Sequence, residues 1–359
     1  MAALLPNVDP DGLLEFSVVF TDRSLNHMST DFQGVMCDIF SSLTSVYNTD
    51  ICALIPGGGT YAMESVVRAF ATDQKVMVLR NGWFSFRWSQ IFEAGNIPSE
   101  TIILKARRSS NDSQSAFSPL SINDVVSRIK DEKPSVFFAP HVETSSGIIL
   151  PDEYIKEISN AVHSVGGIFV LDCIASGCMW VDMKNCGVDV LISAPQKGWS
   201  ASPCAGIVMM NNAAIARLEK SDSTSFALNL RTWVGVMNSY TNGGHSYHAT
   251  MPTDSLKEFR NAINEAAEYG FDKLKAKQQE LGDKVRLLLA ERNIKSVASA
   301  GFEAPGVIVS YTNDPSMQNG SKFVSQGVQI AAGVPLRCDE PVDYSTFRLG
   351  LFGLDKLYD

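Results

Sequence analysis

The chain has 359 residues, of which 45% are hydrophobic and 19% charged, a composition typical of a folded globular protein and not of a disordered one. Its length suggests about two domains. The net charge of -9 gives no general electrostatic reason to expect nucleic acid or an anionic membrane as a partner.

The spacing of the cysteines and the N-terminal segment indicate the cellular compartment of the protein. The seven cysteines are scattered and form no C-x-x-C pair, which favours reduced thiols over disulfides or a zinc site. The opening residues MAALLPNVDPDGLLEF lack a basic stretch and do not resemble a secretory signal. No apolar run approaches the roughly 18 to 20 residues that span a bilayer. We therefore predict a cytoplasmic protein without a membrane partner or a bound metal.

Short apolar runs alternate with amphipathic helical patterns between residues 50 and 210. Nearly continuous hydrophobicity over such lengths is typical of strands that are buried on both faces. The seven runs are ICALIP (51–56), KVMVLR (75–80), TIILKA (101–106), SVFFAP (135–140), GIFVLDC (167–173), VDVLISA (188–194) and AGIVMMN (205–211). They predict an α/β fold with a mostly parallel seven-stranded sheet covered by helices.

The pattern changes after residue 252. One long helical pattern, residues 254–293, leads into the short strand-like runs GVIVSY, GVQIAA and TFRLGLF. We predict an N-terminal arm over 1–25, a large domain over 26–252, and a smaller C-terminal α+β domain over 253–359 that includes the long helix as its connection. The polar stretch RRSSNDSQSAFS (107–118) is predicted to be a surface loop.

Four features follow predicted strands, where the loops of an open α/β sheet converge on one crevice. The first is the glycine-rich turn at 57–60, which opens a helix. Its free N–H groups, the helix dipole and the Thr60 hydroxyl suit a phosphate, although a plain strand-to-helix turn would look similar. The turn matches neither a P-loop nor a dinucleotide fingerprint, which disfavours a nucleotide-binding enzyme.

One charged residue, Asp172, lies at the end of another apolar run, and a second, Lys197, follows a further run. Asp172 closes an almost wholly apolar strand, so we expect its carboxylate to meet a ligand or a donor, with a helix cap as the alternative. Lys197 lies in LISAPQKGWSASPCAG with no acidic neighbour. A desolvated lysine amine can attack a carbonyl, whereas a solvated surface lysine is the alternative.

The fourth feature is the polar loop PHVETSSGIILP at 140–151, which suits either a polar ligand ring or a turn. A phosphate site, a carboxylate and a desolvated lysine together are what pyridoxal phosphate requires. The phosphate anchors the cofactor, the carboxylate keeps the pyridine nitrogen protonated, and the lysine holds the aldehyde as an imine.

On these residues the chain resembles the class V, fold-type I pyridoxal-phosphate-dependent aminotransferases of the alanine-glyoxylate and serine-pyruvate aminotransferase family, from about residue 26 to residue 353. The resemblance implies that Asp172 of LDCIAS contacts the ring nitrogen and that Lys197 of APQKGW is the Schiff-base lysine. It also implies a phosphate site formed by Gly58, Gly59, Thr60 and Gln196.

Three further motifs carry the resemblance. NGWFSFRW resembles N-G-x-aromatic-G-x-R, which makes Phe84 the ring-stacking aromatic and leaves Ser85 in place of the usual glycine. HVETSSG implies that Thr144 lies near the ring. YHATMP resembles Y-H-x-T-x-P, in which Tyr247 and Thr250 reach the phosphate of the neighbouring subunit. A homodimer with shared active sites is therefore implied.

Two motifs, one near each end of the chain, concern substrate binding. FRLGLFG resembles the substrate-binding R-[IL]-G segment, which implies that Arg348 binds the substrate carboxylate, with an ordinary surface ion pair as the alternative. LNHMSTDF departs from the family's G-H-R-S, because Met28 stands in the arginine position. Arg23, Asn26 or His27 could supply the missing contact.

The resemblance implies ping-pong transamination between a small amino acid, such as alanine or serine, and a small 2-oxo acid, such as glyoxylate or pyruvate. The nearest alternative donor is 2-aminoethylphosphonate or another ω-amino compound, since Arg348 could hold a phosphonate. A cysteine desulfurase is disfavoured by Gln196, where those relatives usually carry histidine. A protein that binds the cofactor without turnover is a further alternative.

Overall fold

The structure is a computed structural model that describes residues 13–358, so the first twelve residues of the predicted arm lie outside it. The strands are β1 (Ile51–Pro56), β2 (Lys75–Arg80), β3 (Glu100–Lys105), β4 (Arg107–Arg108), β5 (Phe117–Ser118), β6 (Val136–Pro140), β7 (Val142–Glu143), β8 (Ile148–Ile149), β9 (Ile168–Asp172), β10 (Val190–Ser193), β11 (Ala205–Met210), β12 (Val307–Tyr311), β13 (Ala331–Ala332) and β14 (Thr346–Gly350). The helices are α1 (Thr30–Val46), α2 (Gly59–Phe70), α3 (Trp83–Gly95), α4 (Ile122–Glu132), α5 (Asp152–Ser164), α6 (Met183–Cys186), α7 (Asn212–Leu218), α8 (Leu230–Thr241), α9 (Thr253–Tyr269), α10 (Phe271–Ala290), α11 (Pro315–Gln318), α12 (Ser321–Val324) and α13 (Leu354–Leu357).

Seven strands form one sheet in the order β1-β11-β10-β9-β6-β2-β3. β11 runs antiparallel to both of its neighbours, and every other pair in the sheet is parallel. The carboxyl ends of the other six strands therefore meet at one edge of the sheet. The predicted α/β fold with a mostly parallel seven-stranded sheet is confirmed, and each predicted run overlaps one of these strands.

Burial explains why these runs become strands of this sheet. β6, β9, β10 and β11 are buried along their whole lengths, because helices cover both faces of the sheet. The covering helices are amphipathic: α5, for example, buries Tyr154, Ile155, Ile158, Ala161 and Val162, which lie on one face at helical spacing. Only the outer strand β3 is largely exposed in this sheet, among the residues that the structure describes.

The long helical pattern is not one helix, which corrects the prediction. α9 ends at Tyr269 and α10 begins at Phe271, because Gly270 between them adopts φ 102° and ψ 122°. A positive φ of this kind is readily adopted by glycine and interrupts the helical hydrogen bonds. α9 packs against α1 and contributes Phe259 to the core of the large sheet, whereas α10 contacts β12. The boundaries of the domains stay predictions.

The C-terminal region contains a second, antiparallel sheet with the strand order β12-β14-β13. It confirms a smaller α+β unit, although the run GVQIAA contributes only the two residues of β13. The polar stretch at 107–118 forms a hairpin of β4 and β5, and its Phe117 is buried. Within residues 13–358, no helix is long and apolar enough to cross a membrane.

Candidate active site

A cavity of about 200 Å³ is lined by loops that follow β1, β2, β6, β9 and β10. It brings together seven of the predicted site residues: Gly59, Thr60, Phe84, Thr144, Asp172, Gln196 and Lys197. A larger groove of about 900 Å³ lies at the outer strand β3 and contains none of them. The smaller cavity is therefore the candidate active site.

The N-terminus of α2 forms one end of the cavity. Gly58 is the N-cap residue, no side chain caps the helix, and the first turn carries no acidic residue. A Cβ atom on Gly59 would overlap the Ile174 side chain, so glycine allows this turn to pack closely against Ile174. Unpaired N–H groups at a helix N-terminus attract anions through both hydrogen bonding and the helix dipole.

Asp172 ends β9 inside the cavity wall and is 7% exposed. Its Oδ1 accepts a 2.9 Å hydrogen bond from the N–H of Ile174, and no described residue donates to its Oδ2. Burial raises the pKa of Asp172 to about 7, the negative charge of Glu143 acts in the same direction, and Lys197 opposes them. A cationic ligand would stabilise the ionised carboxylate.

Lys197 lies in the turn that follows β10. Its ammonium makes no ion pair or hydrogen bond with any residue in the described part of the chain, and its Nζ lies 5.4 Å from the centroid of the Phe352 ring. Burial lowers the pKa of Lys197, and the positive charge of Arg348 lowers it further, while Asp172 acts in the opposite direction. The amine is therefore easier to deprotonate than that of a solvated lysine.

Phe84 lies in the first turn of α3, where a buried carboxylate fixes the backbone. Glu143 accepts hydrogen bonds from the N–H groups of Phe84 (3.1 Å) and Ser85 (2.8 Å) and from the Ser85 hydroxyl (2.7 Å). It also accepts from the N–H (3.1 Å) and the hydroxyl (2.7 Å) of Ser145. This role of Glu143 is not predictable from the local sequence, since only the fold brings β7 to this helix.

Arg348 lies on β14, outside the lining of the cavity but next to it. Its Nε–H donates a 2.8 Å hydrogen bond to the carbonyl of Ala332, and its Cζ lies 5.8 Å from the centroid of the Phe84 ring. Burial lowers the pKa of Arg348. Because Nε is already bonded, the two terminal nitrogens remain for a ligand.

Tyr247 and Thr250 do not line this cavity. Their hydroxyl groups lie 3.0 Å apart, and Tyr247 is 52% exposed. The prediction that this pair reaches the site of a neighbouring subunit stays a prediction.

A match to a family model shows to which family the chain belongs. The model described as aminotransferase class-V matches residues 113–343, well over half of the chain. The chain belongs to this family. Class-V aminotransferases are pyridoxal-phosphate-dependent enzymes, so the cofactor predicted from the sequence is confirmed.

Curated relatives of this class-V aminotransferase have two different names. A 2-aminoethylphosphonate–pyruvate transaminase of Syntrophobacter fumaroxidans is 27% identical over 247 residues, covering 67% of this chain and 62% of that protein. Another from Paraburkholderia phymatum is 24% identical over 92% of this chain and 84% of its own length. The alanine–glyoxylate aminotransferase 1 of Saccharomyces cerevisiae is 24% identical over 87% of this chain and 82% of its own.

Solved structures share the fold. An alanine–glyoxylate aminotransferase from Nostoc sp. superposes with a TM-score of 0.78 at 18% identity, covering 92% of this chain and 85% of that one. A ureidoglycine-glyoxylate aminotransferase from Bacillus subtilis gives 0.76 at 18% identity, covering 91% and 81%. At such identities the likeness establishes the fold-type I architecture and nothing finer.

The cavity of this class-V aminotransferase fits pyridoxal phosphate. The open N-terminus of α2 suits the phosphate. Gln196, whose Oε1 is buried without a hydrogen-bond partner among the described residues, would donate to a phosphate oxygen through its Nε2–H. Asp172 offers a free carboxylate oxygen for a protonated ring nitrogen, and Lys197 offers an unpaired amine for the aldehyde. Buried polar groups normally have partners, so these atoms indicate a ligand.

Proposed function

We propose that this enzyme transfers the amino group of a small amino acid, such as alanine or serine, to a small 2-oxo acid, such as glyoxylate or pyruvate. The observation that carries the proposal is one cavity that holds both an amine without an anionic partner, Lys197, and a buried carboxylate, Asp172. The similarity to the yeast alanine–glyoxylate aminotransferase, 24% identity over 87% of the chain, supports this choice of substrates.

The proposed binding residues divide by the part of the cofactor that they would hold. Pyridoxal phosphate, when bound, supplies an aldehyde and an electron-withdrawing pyridine ring. In this proposal Asp172 accepts a hydrogen bond from the ring nitrogen, and the Phe84 ring stacks on the pyridine. The other proposed contacts are Gly58, Gly59, Thr60 and Gln196 to the phosphate and Thr144 near the ring.

Lys197 is the proposed base of the reaction. Its lowered pKa increases the fraction of neutral amine near neutral pH, so Nζ can take a proton from the α-carbon of the substrate. Lys197 is partly buried, so bulk water has only limited access to Nζ. The proton held on Nζ can then be delivered within the cavity instead of being lost to solvent.

Arg348 is the proposed residue for the substrate's anionic group. Its Nε–H bond to the Ala332 carbonyl fixes the guanidinium plane, which leaves both terminal nitrogens to bind a carboxylate through two parallel hydrogen bonds. Lysine could not reproduce this planar, two-pronged contact. The guanidinium also lies beside Phe84, at the edge of the proposed cofactor site.

A second candidate donor is 2-aminoethylphosphonate, with pyruvate as the acceptor. The similarity to the Paraburkholderia phymatum transaminase extends over 92% of this chain and favours it. The terminal nitrogens of Arg348 would bind a phosphonate as well as a carboxylate. Both candidates share the proposed roles of Lys197 and Asp172.

We further propose that two copies of the chain share their active sites. Tyr247 and Thr250 present a bonded pair of hydroxyl groups on the surface, away from the cavity of their own subunit. Two such hydroxyls could reach a phosphate in a facing subunit. A homodimer in which the Tyr247→Phe variant binds the cofactor more weakly would support this arrangement.

The test is a half-reaction with the purified holoenzyme. Alanine, serine, aspartate and 2-aminoethylphosphonate are added separately while the visible absorbance of the bound cofactor is followed, with Lys197→Ala as the inactive variant and the exposed Lys220→Ala as the matched control. Conversion by alanine or serine supports the first candidate, and conversion by 2-aminoethylphosphonate alone supports the second.

Two results would contradict both candidates. Sulfide release from cysteine without conversion by any of the four donors would indicate a desulfurase. Stable cofactor binding with no response to any amino compound would indicate a protein that binds the cofactor without turnover.

A further inference from the structure

Arg87 lines the candidate active site, and the roles assigned so far do not include it. It lies one helical turn after Phe84 on α3. Its Nε is buried without a hydrogen-bond partner, and the guanidinium forms no ion pair with any residue between 13 and 358. The residue as a whole is only partly buried, but a buried N–H group without an acceptor requires explanation, because buried polar groups normally have partners.

The protein itself offers no acidic partner for Arg87 in the cavity. Asp172 is the only acidic residue of the lining, and Lys197 lies close enough to influence its pKa. Glu143, the other buried acid nearby, already accepts five hydrogen bonds from α3 and its own loop. With Arg87 and Lys197 against one carboxylate, the lining carries an excess of positive charge that an anion would balance.

The packing of α3 against α2 bears on which part of a ligand Arg87 meets. Gly59, Thr60 and Met63 of α2 line the same cavity, and α2 packs against α3. The phosphate end of the proposed cofactor site is the N-terminus of α2. A guanidinium in this position can add charge-assisted hydrogen bonds to those of the helix N–H groups and the Thr60 hydroxyl.

We propose that Arg87 is a cationic ligand of the cofactor phosphate. The proposal rests on the proposed function, because it assumes that the phosphate lies at the N-terminus of α2. Arg348, outside the cavity lining, remains the residue for the substrate's anion. Arg87 therefore governs affinity for the phosphorylated cofactor, and Arg348 governs affinity for the substrate.

The experiment compares two ligands that differ only in the phosphate. Dissociation constants for pyridoxal phosphate and for pyridoxal are measured by spectroscopic titration of the cofactor-free full-length protein and of its Arg87→Gln variant. We expect the variant to bind pyridoxal phosphate about 10- to 100-fold more weakly, as for loss of a charge-assisted hydrogen bond, and pyridoxal within about twofold of the parent protein. Inorganic phosphate should compete less well against pyridoxal phosphate in the variant.

Two further variants complete the design. Arg87→Lys keeps the charge without the planar fork, so we expect a smaller loss that is still selective for the phosphorylated ligand. Arg87→Lys also replaces Arg87→Gln in the comparison of the two ligands if circular dichroism shows that Arg87→Gln does not fold. Arg260→Gln is the matched control, since Arg260 pairs with Asp38 outside the cavity and should not affect either constant.

The outcomes separate this proposal from the function on which it rests. Equal weakening of both ligands would mean that Arg87 only supports the fold, and would overturn the proposal. If the dissociation constant of pyridoxal phosphate is unchanged and the KM of the amino donor is raised, the Arg87 guanidinium binds the substrate. This result would also overturn the proposal. Failure of the parent protein itself to bind pyridoxal phosphate would instead contradict the proposed function.

Discussion

The hydroxyl of Ser85 donates a 2.7 Å hydrogen bond to the buried carboxylate of Glu143. This bond joins the first turn of α3 to β7, and it lies one residue from Phe84. In the family motif this position is usually glycine, which could not make the bond. Ser85 thus gives this enzyme an additional support for the backbone that carries the proposed stacking ring.

The Ser85–Glu143 bond predicts a graded loss of stability. We expect Ser85→Ala to lower the free energy of unfolding by about 1 to 2 kcal/mol, because its Oγ also accepts hydrogen bonds from the N–H groups of Asn81 (2.9 Å) and Gly82 (3.1 Å). Glu143→Gln should lower it by up to about 3 kcal/mol, because the amide would face N–H donors that need an acceptor. Urea unfolding of the cofactor-free protein measures both values. Glu153→Gln, an exposed control on α5, should stay within about 0.5 kcal/mol. A similar loss in all three variants would contradict the prediction.

Asp172 predicts that the stability of the cofactor-free protein depends on pH. Burial raises its pKa from 3.8 to about 7, so between these values the native state binds a proton that the unfolded chain has released. The contribution of Asp172 to stability therefore falls as pH rises from about 4 to about 7. The difference in free energy of unfolding between the parent protein and Asp172→Asn should follow this decline. A difference independent of pH would disprove it.

Gly198 predicts a steric effect beside the proposed base. A Cβ atom on Gly198 would overlap the backbone carbonyl of Gly177, which cannot move without displacing the loop after β9. We expect Gly198→Ala to lower the free energy of unfolding by about 1 to 3 kcal/mol and to displace Lys197. Gly235→Ala on α8 is the control, since its Cβ would meet open space and should be neutral or stabilising. Equal stabilities of the two variants would contradict the overlap.

Arg348 predicts a change in substrate affinity that spares the cofactor. We expect Arg348→Gln to raise the KM of the active donor about 10- to 100-fold through loss of the charged contact, and Arg348→Lys to recover only part of it. The dissociation constant of pyridoxal phosphate should stay unchanged. Steady-state kinetics and cofactor titration measure the two quantities, with the exposed Arg231→Gln as the control. A weakened cofactor constant would contradict the assignment.

The large sheet was predictable because each strand carries its own signal. Runs such as KVMVLR are hydrophobic throughout, and only a strand covered on both faces places such a run out of water. The positions of Asp172 and Lys197 at strand ends then follow from the parallel topology, since parallel strands bring their carboxyl ends to one edge. Local pattern and topology together were sufficient to bring these two residues into one cavity.

The remaining features depend on contacts between distant segments. The side chains around Gly270 continue a helical pattern, so the break there depends on a backbone conformation that the pattern does not contain. Glu143 lies in HVETSSG and Arg87 in NGWFSFRW, but the hydrogen bonds of Glu143 and the unpaired Nε of Arg87 depend on the folded cavity. Gly270 at the break and the charge of Arg87 were the only available signals.

The antiparallel strand β11 also has a consequence for the order in which the protein can assemble. β1 is almost wholly buried, and its only sheet partner in the described part of the chain is β11, with Ile51 opposite Met210. During synthesis β1 emerges with no strand to join until the rest of the large sheet has been made, and such long-range pairing is slow. Fragments that end before Ala205 leave β1 with an open hydrogen-bonding edge, so they are expected to aggregate instead of folding.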